Sequence, residues 1–207
     1  MITIALPKGR LGDKVYELFT NNESLLESSR KLVFESKEND IRFLLVKPAD
    51  VAIYVEHGAA DLGIVGKDIL LETHPEVYEL MDLNIGKCKM AVAAKNDYIE
   101  DTDRTLRVAT KFVNIAKDYY ASKNREIEII KLHGSVELAP LLGLSDVIVD
   151  IVESGNTLKA NNLKVLTTFM DISARLIANH TSFKFKNKAI EQIVNGLTEV
   201  LKDDKNI

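Results

Sequence analysis

Short apolar runs alternate with amphipathic stretches along almost the whole of the 207-residue chain. Residues 2–6 are an apolar run ended by Pro7 and Gly9, and Leu11, Val15, Leu18 and Phe19 then recur at the spacing that gathers side chains on one helix face. Residues 32–34 and 41–46 read as strands. Asp50, after Pro48, is placed to cap a helix that carries Val51, Tyr54 and Val55 and stops at Gly58. Residues 62–65 form a strand between glycines, another helix starts near Lys67, and 89–94 is a buried strand. A second series follows, with strands at 106–109, 127–130, 146–152, 163–169 and 175–178. Phe112, Ile115, Ala116 and Tyr119 mark a helix, and a further one starts at Ser135 with Pro140 in its first turns. At the C-terminus Ala189, Ile190, Ile193, Val194, Leu197, Val200 and Leu201 give a helix one apolar face. Strands alternating with helices predict an α/β fold with mainly parallel sheet. The polar segment 95–104 is the expected crossing between two lobes of about 100 residues each, a common domain size.

Composition narrows the classes. Hydrophobic residues at 46% supply real cores, and 28% charged residues of mixed sign argue against disorder. A net charge of −4 speaks against a broad basic face for nucleic acid, while a local cluster of Lys and Arg can still hold a small anionic ligand. The single cysteine, Cys88, excludes an internal disulfide and reads as a strand residue. The apolar start at residues 1–6 lacks a basic leader and a cleavage site, and no apolar run approaches the ~20 residues of a membrane span. A cytoplasmic protein with neither a membrane nor a nucleic-acid partner is expected.

The strongest chemical signal is the segment from Asp150 to Leu158, where an apolar strand runs into two acids, breaks into Ser154-Gly155-Asn156-Thr157 and restarts as a helix. A phosphate monoester needs several donors converging on one point, and a strand-to-helix turn supplies backbone N–H groups with no intrahelical partner, at the positive end of a helix dipole. Gly155 permits close approach of the backbone, and the hydroxyls of Ser154 and Thr157 add donors. Asp150 and Glu153 stand at the rim, where carboxylates accept hydrogen bonds from ribose hydroxyls or hold Mg²⁺. Taken alone, Ser-Gly-Asn-Thr also describes an ordinary capped turn. The two acids upstream favour the ligand-binding reading, and the segment resembles the arrangement of phosphoribosyltransferases, a hydrophobic strand, acids and a small Thr-Gly-x-Thr-like loop, with Ser154 at the first hydroxyl position. Here the acids are three residues apart, where the common version has them adjacent.

Cations gather elsewhere. Lys8, Gly9 and Arg10 lie where the first strand meets the first helix, the end of an open α/β sheet at which ligands bind. Arg30 and Lys31 offer a second pair before the next strand. Gly66, at a strand exit, is expected near a ligand, whereas tight packing explains Gly58 and Gly63. His57 and His133 read as structural.

Together these segments resemble the ATP phosphoribosyltransferase family. The resemblance runs in order through residues 5–11, 29–32, 48–51, 54–68, 107–111, 134–140, the phosphate loop and 172–177. It departs in small ways, with Lys47 where arginine is common and His133 where asparagine is common. The resemblance implies the short, catalytic form, without a C-terminal regulatory domain. It further implies a fold of two lobes like type II periplasmic binding proteins, with the active site in the cleft between them. Residues 1–94 plus 180–207 would form lobe I, and 95–179 lobe II with the phosphate loop. The implied reaction transfers the phosphoribosyl group of phosphoribosyl pyrophosphate to N1 of the ATP adenine, the first step of histidine biosynthesis. Arg10 and Arg30 would be catalytic. Asp150, Glu153, Ser154, Gly155, Asn156 and Thr157 would hold phosphoribosyl pyrophosphate, and Lys8, Gly9, Arg10, Arg30 and Gly66 would face ATP or diphosphate. Mg²⁺ would arrive on the diphosphate, with no protein side chain assigned to it. The implied assembly is a homodimeric catalytic unit in a hetero-oligomer with a regulatory subunit similar to histidyl-tRNA synthetase. Two rival readings remain at this level: a solute-binding or sensor module with the same fold, and a phosphoribosyltransferase acting on another base.

Overall fold

The computed structural model describes residues 1–20, 31–36 and 39–203. Two compact units emerge. The first comprises Met1–Leu70, His74–Gly86 and the chain from Ser173 onward; the second comprises Leu71–Thr73 and Lys87–Ile172.

The first unit is built on a six-stranded sheet. Its strands are β1 (Ile2–Pro7), β2 (Val33–Ser36), β3 (Ile41–Val46), β4 (Leu62–Gly66), β5 (Tyr78–Asp82) and β11 (Ala174–Ala178), in the order β2-β3-β1-β4-β11-β5. Strands β3, β1 and β4 run parallel, and β2, β11 and β5 join antiparallel. Alternation along each strand feeds two cores. On one face Ile2, Ile4 and Leu6 of β1 and Leu62 and Ile64 of β4 pack with Val15 of α1 (Arg10–Thr20) and with Ile190 and Leu197 of α8 (Asn187–Asp203). On the other, Ala5 and Val65 meet Val51, Ala52 and Val55 of α2 (Val51–Glu56) and Leu70 of α3 (Lys67–Thr73). The second face needs small residues, because a Cβ on Gly63 would lie 2.6 Å from a Val55 methyl and 2.9 Å from a Val51 methyl.

The α2 helix starts after a 3-10 turn at Pro48–Asp50, and its cap residue Asp50 makes no side-chain capping bond. Asn179 does cap: its Oδ1 accepts from the N–H groups of Thr181 and Ser182 (3.0 Å each) at the start of α7 (His180–Phe185). Its amide donates back to the Val55 carbonyl at 2.9 Å. Such a cap stabilises a helix by about 1 kcal/mol.

The second unit carries β6 (Cys88–Lys95), β7 (Leu106–Thr110), β8 (Ile127–Lys131), β9 (Val147–Val152) and β10 (Leu163–Ile172), in the order β10-β6-β9-β7-β8. Here β9, β7 and β8 are parallel, and β6 runs antiparallel to both β9 and β10. Met90, Val92, Val147 and Val149 face Phe112 and the α4 (Val113–Ala121) residues Ile115, Ala116 and Tyr120. Ala93 and Ile148 face Ala139 of α5 (Leu138–Leu141) and Leu158 of α6 (Asn156–Ala160).

Apart from the three residues Leu71–Thr73, the chain changes unit at Gly86/Lys87 and Ile172/Ser173, where 94/95 and 179/180 were expected. The reason is hydrogen bonding: β6 is laddered to β9 and β10, and β11 to β4 and β5. The polar segment 95–104 is a surface connection inside the second unit. Arg125 donates to the carbonyls of Asp101 (2.7 Å) and Thr102 (3.1 Å), and Arg104 pairs with Asp146 at 3.0 Å. Its polarity reflects those bonds. Both sheets are mixed, where the alternation of elements suggested mainly parallel ones.

Candidate active site

The loop singled out in the sequence lies between β9 and α6, wholly within the second unit. Asp150 is on β9; Glu153, Ser154 and Gly155 make the turn; Asn156 and Thr157 open α6. Gly155 has φ 74°, left-handed backbone that an L side chain adopts only with strain. The turn thus swings the first N–H groups of α6 outward, where helix geometry gives them no acceptor. Ser154 Oγ sits 3.4 Å from the Asn156 nitrogen, a long contact that leaves the hydroxyl available. At five residues α6 sums few peptide dipoles, so the anion-binding capacity rests on the N–H groups of the turn and not on a macrodipole.

Asp150 is held from two sides. Its Oδ1 accepts from the Ile151 N–H at 2.9 Å and lies 3.8 Å from Lys111 Nζ. Glu153, Ser154 and Asn156 are exposed. A cavity of about 510 Å³ opens beside the turn, lined by Val152, Glu153, Ser154 and Gly155 together with Lys89, Lys159 and Lys164. A larger cavity of about 880 Å³ lies at the far end of β1 and β3, against α8, and is lined by none of the candidate site residues.

In the first unit the candidate cations collect at the carboxyl end of the parallel strands. Lys8 follows β1 and its N–H donates to the Val46 carbonyl at 2.8 Å, which brings the exits of β1 and β3 together. Gly9 has φ 102°, its carbonyl accepts the Asp13 N–H at 3.1 Å, and α1 begins at Arg10. Lys8, Gly9 and Arg10 are exposed. Gly12 is the constrained glycine of this turn: a Cβ there would stand 1.9 Å from the Pro7 carbonyl oxygen. Gly66 closes β4, and a Cβ on it would lie 2.1 Å from Asp68 Oδ1, so a side chain at this position would have to displace a buried carboxylate. Arg30 lies outside the described residues.

Among the described residues no group of three His, Cys, Asp or Glu side chains could hold a metal ion, and no helix is long and apolar enough to cross a membrane. The carboxylates at the phosphate turn are Asp150 and Glu153. That donor set suits Mg²⁺ borne by a substrate's phosphates, an ion that takes one or two carboxylates beside phosphate oxygens and water.

Lys111 ends the stretch 107–111 that resembles the family, but nothing local in the sequence marks it as a site residue. Its place beside Asp150 follows from the pairing of Thr110 with Val149 across β7 and β9, which only the sheet register reveals.

Two mixed sheets, each with a glycine turn at the carboxyl end of a parallel strand, define the two-unit α/β fold of substrate-binding proteins. The substrate-binding protein of an amino acid ABC transporter shares it at TM-score 0.59 and 13% identity, over 99% of this chain and 93% of its own. At that identity the likeness concerns the fold alone. The family model described as ATP phosphoribosyltransferase matches residues 47–199, and the chain belongs to that family. The ATP phosphoribosyltransferase of Brachyspira hyodysenteriae is 61% identical over 206 residues, covering 97% of this chain and 100% of the relative. That of Clostridioides difficile is 53% identical over 203 residues, covering 96% and 98%. Among solved structures, the ATP phosphoribosyl transferase (HisG:HisZ) complex from Thermotoga maritima matches at TM-score 0.85 and 36% identity, over 98% of this chain and 100% of that one.

Proposed function

We propose that the chain catalyses the first step of histidine biosynthesis, in which N1 of the ATP adenine displaces diphosphate from C1 of phosphoribosyl pyrophosphate. The lone pair of N1 forms the new N–C1 bond as the C1–O bond to diphosphate breaks. Adenine N1 is unprotonated at neutral pH, so the step needs no strong general base. The work left to the protein is positioning and stabilisation of the charge on the leaving group.

The observation that carries this reading is the β9–α6 turn, with Gly155 at φ 74° and Asp150 at the strand end, in a member of this family. The N–H groups of residues 154–157, with the hydroxyls of Ser154 and Thr157, receive the 5′-phosphate. Asp150 faces the ribose hydroxyls. Lys8 and Arg10 neutralise phosphate charge of ATP and of departing diphosphate, and Gly9 lets the backbone turn between them. Arg30 has the same part on the family resemblance. Gly66 contributes by keeping the exit of β4 free of a side chain. Mg²⁺ carried on the diphosphate supplies further countercharge, and Glu153 and Asp150 are the carboxylates of the turn able to meet it.

The Thermotoga maritima relative was solved as a complex with HisZ. By extension this chain works in the cytoplasm as a homodimeric catalytic unit within a hetero-oligomer, its partner a regulatory subunit resembling histidyl-tRNA synthetase. The test is product formation from ATP, phosphoribosyl pyrophosphate and Mg²⁺, with and without that partner. Phosphoribosyl-ATP is expected. A folded chain and an active partner that yield none would favour a two-unit binding protein or another acceptor base.

A further inference from the structure

The phosphate turn has an unbalanced charge. Residues 150–157 contain Asp150 and Glu153 and no cation, yet the turn is read as receiving a phosphate dianion beside ribose hydroxyls. Backbone N–H groups supply direction but no net positive charge. Lys111 stands where the missing charge is needed. Thr110, fully buried, donates its hydroxyl to the Val149 carbonyl at 2.7 Å and accepts the Phe112 N–H at 2.8 Å. The first bond fastens the exit of β7 to β9 and the second fixes the turn that follows Thr110, so the next residues, Lys111 and Asp150, come side by side. The Lys111 ammonium lies 4.7 Å from the centroid of the buried Phe112 ring and 3.8 Å from Asp150 Oδ1. The second distance is an ion pair without a short hydrogen bond, so the three ammonium donors remain available to an incoming ligand. The side chain is 40% exposed, so a small ligand can reach it.

We propose that Lys111 is a further substrate-positioning residue of the phosphoribosyl site: it holds the Asp150 carboxylate toward the ribose hydroxyls and supplies the positive charge that the turn lacks. The proposal rests on the reading of the β9–α6 turn as the phosphoribosyl site. The other lysines near the turn serve less well. Lys89 pairs with Asp171 at 3.4 Å, Lys164 donates to the Asn96 carbonyl at 2.6 Å, and Lys159 is exposed on α6.

The test is calorimetric binding of ribose 5-phosphate to the full chain. Lys111→Met should weaken binding about 10- to 100-fold, as expected for loss of charge-assisted hydrogen bonds. Lys111→Arg should recover most of it. Lys117→Met, which removes the same charge from an exposed position on α4 of the same unit, should stay within about threefold of the parent chain. In turnover assays the Met variant should raise KM for phosphoribosyl pyrophosphate and leave KM for ATP in place, with an unchanged melting temperature. Binding within about threefold of the parent in Lys111→Met, an equal loss in Lys117→Met, or no ribose 5-phosphate binding by the parent would each overturn the proposal. A parent chain that binds ribose 5-phosphate through Lys111 but makes no phosphoribosyl-ATP would sink the assigned reaction and leave the role of Lys111 standing.

Discussion

At the end of β1 the chain turns through Gly9, at φ 102°, and starts α1; at the end of β9 it turns through Gly155, at φ 74°, and starts α6. The backbone device is the same, a left-handed glycine that aims the first N–H groups of a helix away from the sheet. The charges are opposite. The first turn carries Lys8 and Arg10, the second Asp150 and Glu153. In the proposed reaction they meet different parts of the reactants. A cationic turn suits polyphosphate, whose charge grows as diphosphate leaves. An acidic one suits a ribose, whose hydroxyls need acceptors, provided that a cation such as Lys111 balances the phosphate. Shared geometry thus gives little information about function until the side chains flanking the glycine are read.

The comparison can be broken at its glycines and at its charges. The largest effect is expected at Gly12. An Ala there puts a methyl against the Pro7 carbonyl, a backbone atom that cannot swing away, and should cost about 3 kcal/mol or more. Thermal unfolding should then fall by roughly 6–12 °C. Next comes Arg10→Ala, which removes a charge that the proposed mechanism places at the departing diphosphate and should lower turnover about 100- to 1,000-fold. Near-normal turnover in that variant would take Arg10 out of the chemistry. Gly155→Ala forces a side chain into left-handed backbone at about 1–2 kcal/mol. It should weaken ribose 5-phosphate about tenfold while binding of ATP is kept; loss of both ligands would mean that the two turns do not act separately.

The smallest effect at neutral pH is expected from a pair of buried carboxylates, one in each unit. Asp61 in the first unit and Asp146 in the second have side chains only 8% and 6% exposed. Burial alone would raise both. For Asp61 the hydrogen bonds from Lys186, Ser182 and the Thr3 N–H outweigh it, and for Asp146 those from Arg107, Arg104 and the Arg107 N–H, so both carboxyls sit below their ordinary value. A depressed carboxylate stabilises the fold above the unfolded-state value of about 4, and that contribution is lost as pH falls through the lowered folded-state value. Each unit should therefore lose stability below about pH 4, followed by circular dichroism, and Asp146→Asn should flatten the acid limb for the second unit. An unchanged limb would show that Asp146 titrates alike folded and unfolded.

Much of the fold was legible because strands covered on both faces read as short continuous apolar runs, as in β1, β6 and β9. The strand β5 was not legible: Tyr78-Glu79-Leu80-Met81-Asp82 is an edge strand with two acids and no alternation of its own. Its acids are bound by partners distant in sequence, Lys67 and Arg175. The short helix α7 was not legible either, since the apolar face of the C-terminal helix begins only at Ala189. Segment 95–104 looked like a crossing because it is polar, whereas the ladders of β6 and β11 decide where the chain changes unit. At the site, the turn at 154–157 could be read directly, since glycine, hydroxyls and acids are contiguous there. Lys111 could not, because its neighbour Asp150 is supplied by a register between β7 and β9. The part of Gly66 that involves Asp68 needed the fold as well.

The most direct test of the central claim is to follow backbone amide signals while ribose 5-phosphate is added. The account predicts that the amides of Ser154, Gly155, Asn156 and Thr157 move first and saturate together, with those of Lys8, Gly9 and Arg10 unmoved until ATP or diphosphate is added. Saturating shifts at Lys8–Arg10 with a silent β9–α6 turn would contradict it, and would place the phosphate of the ribose at the cationic turn.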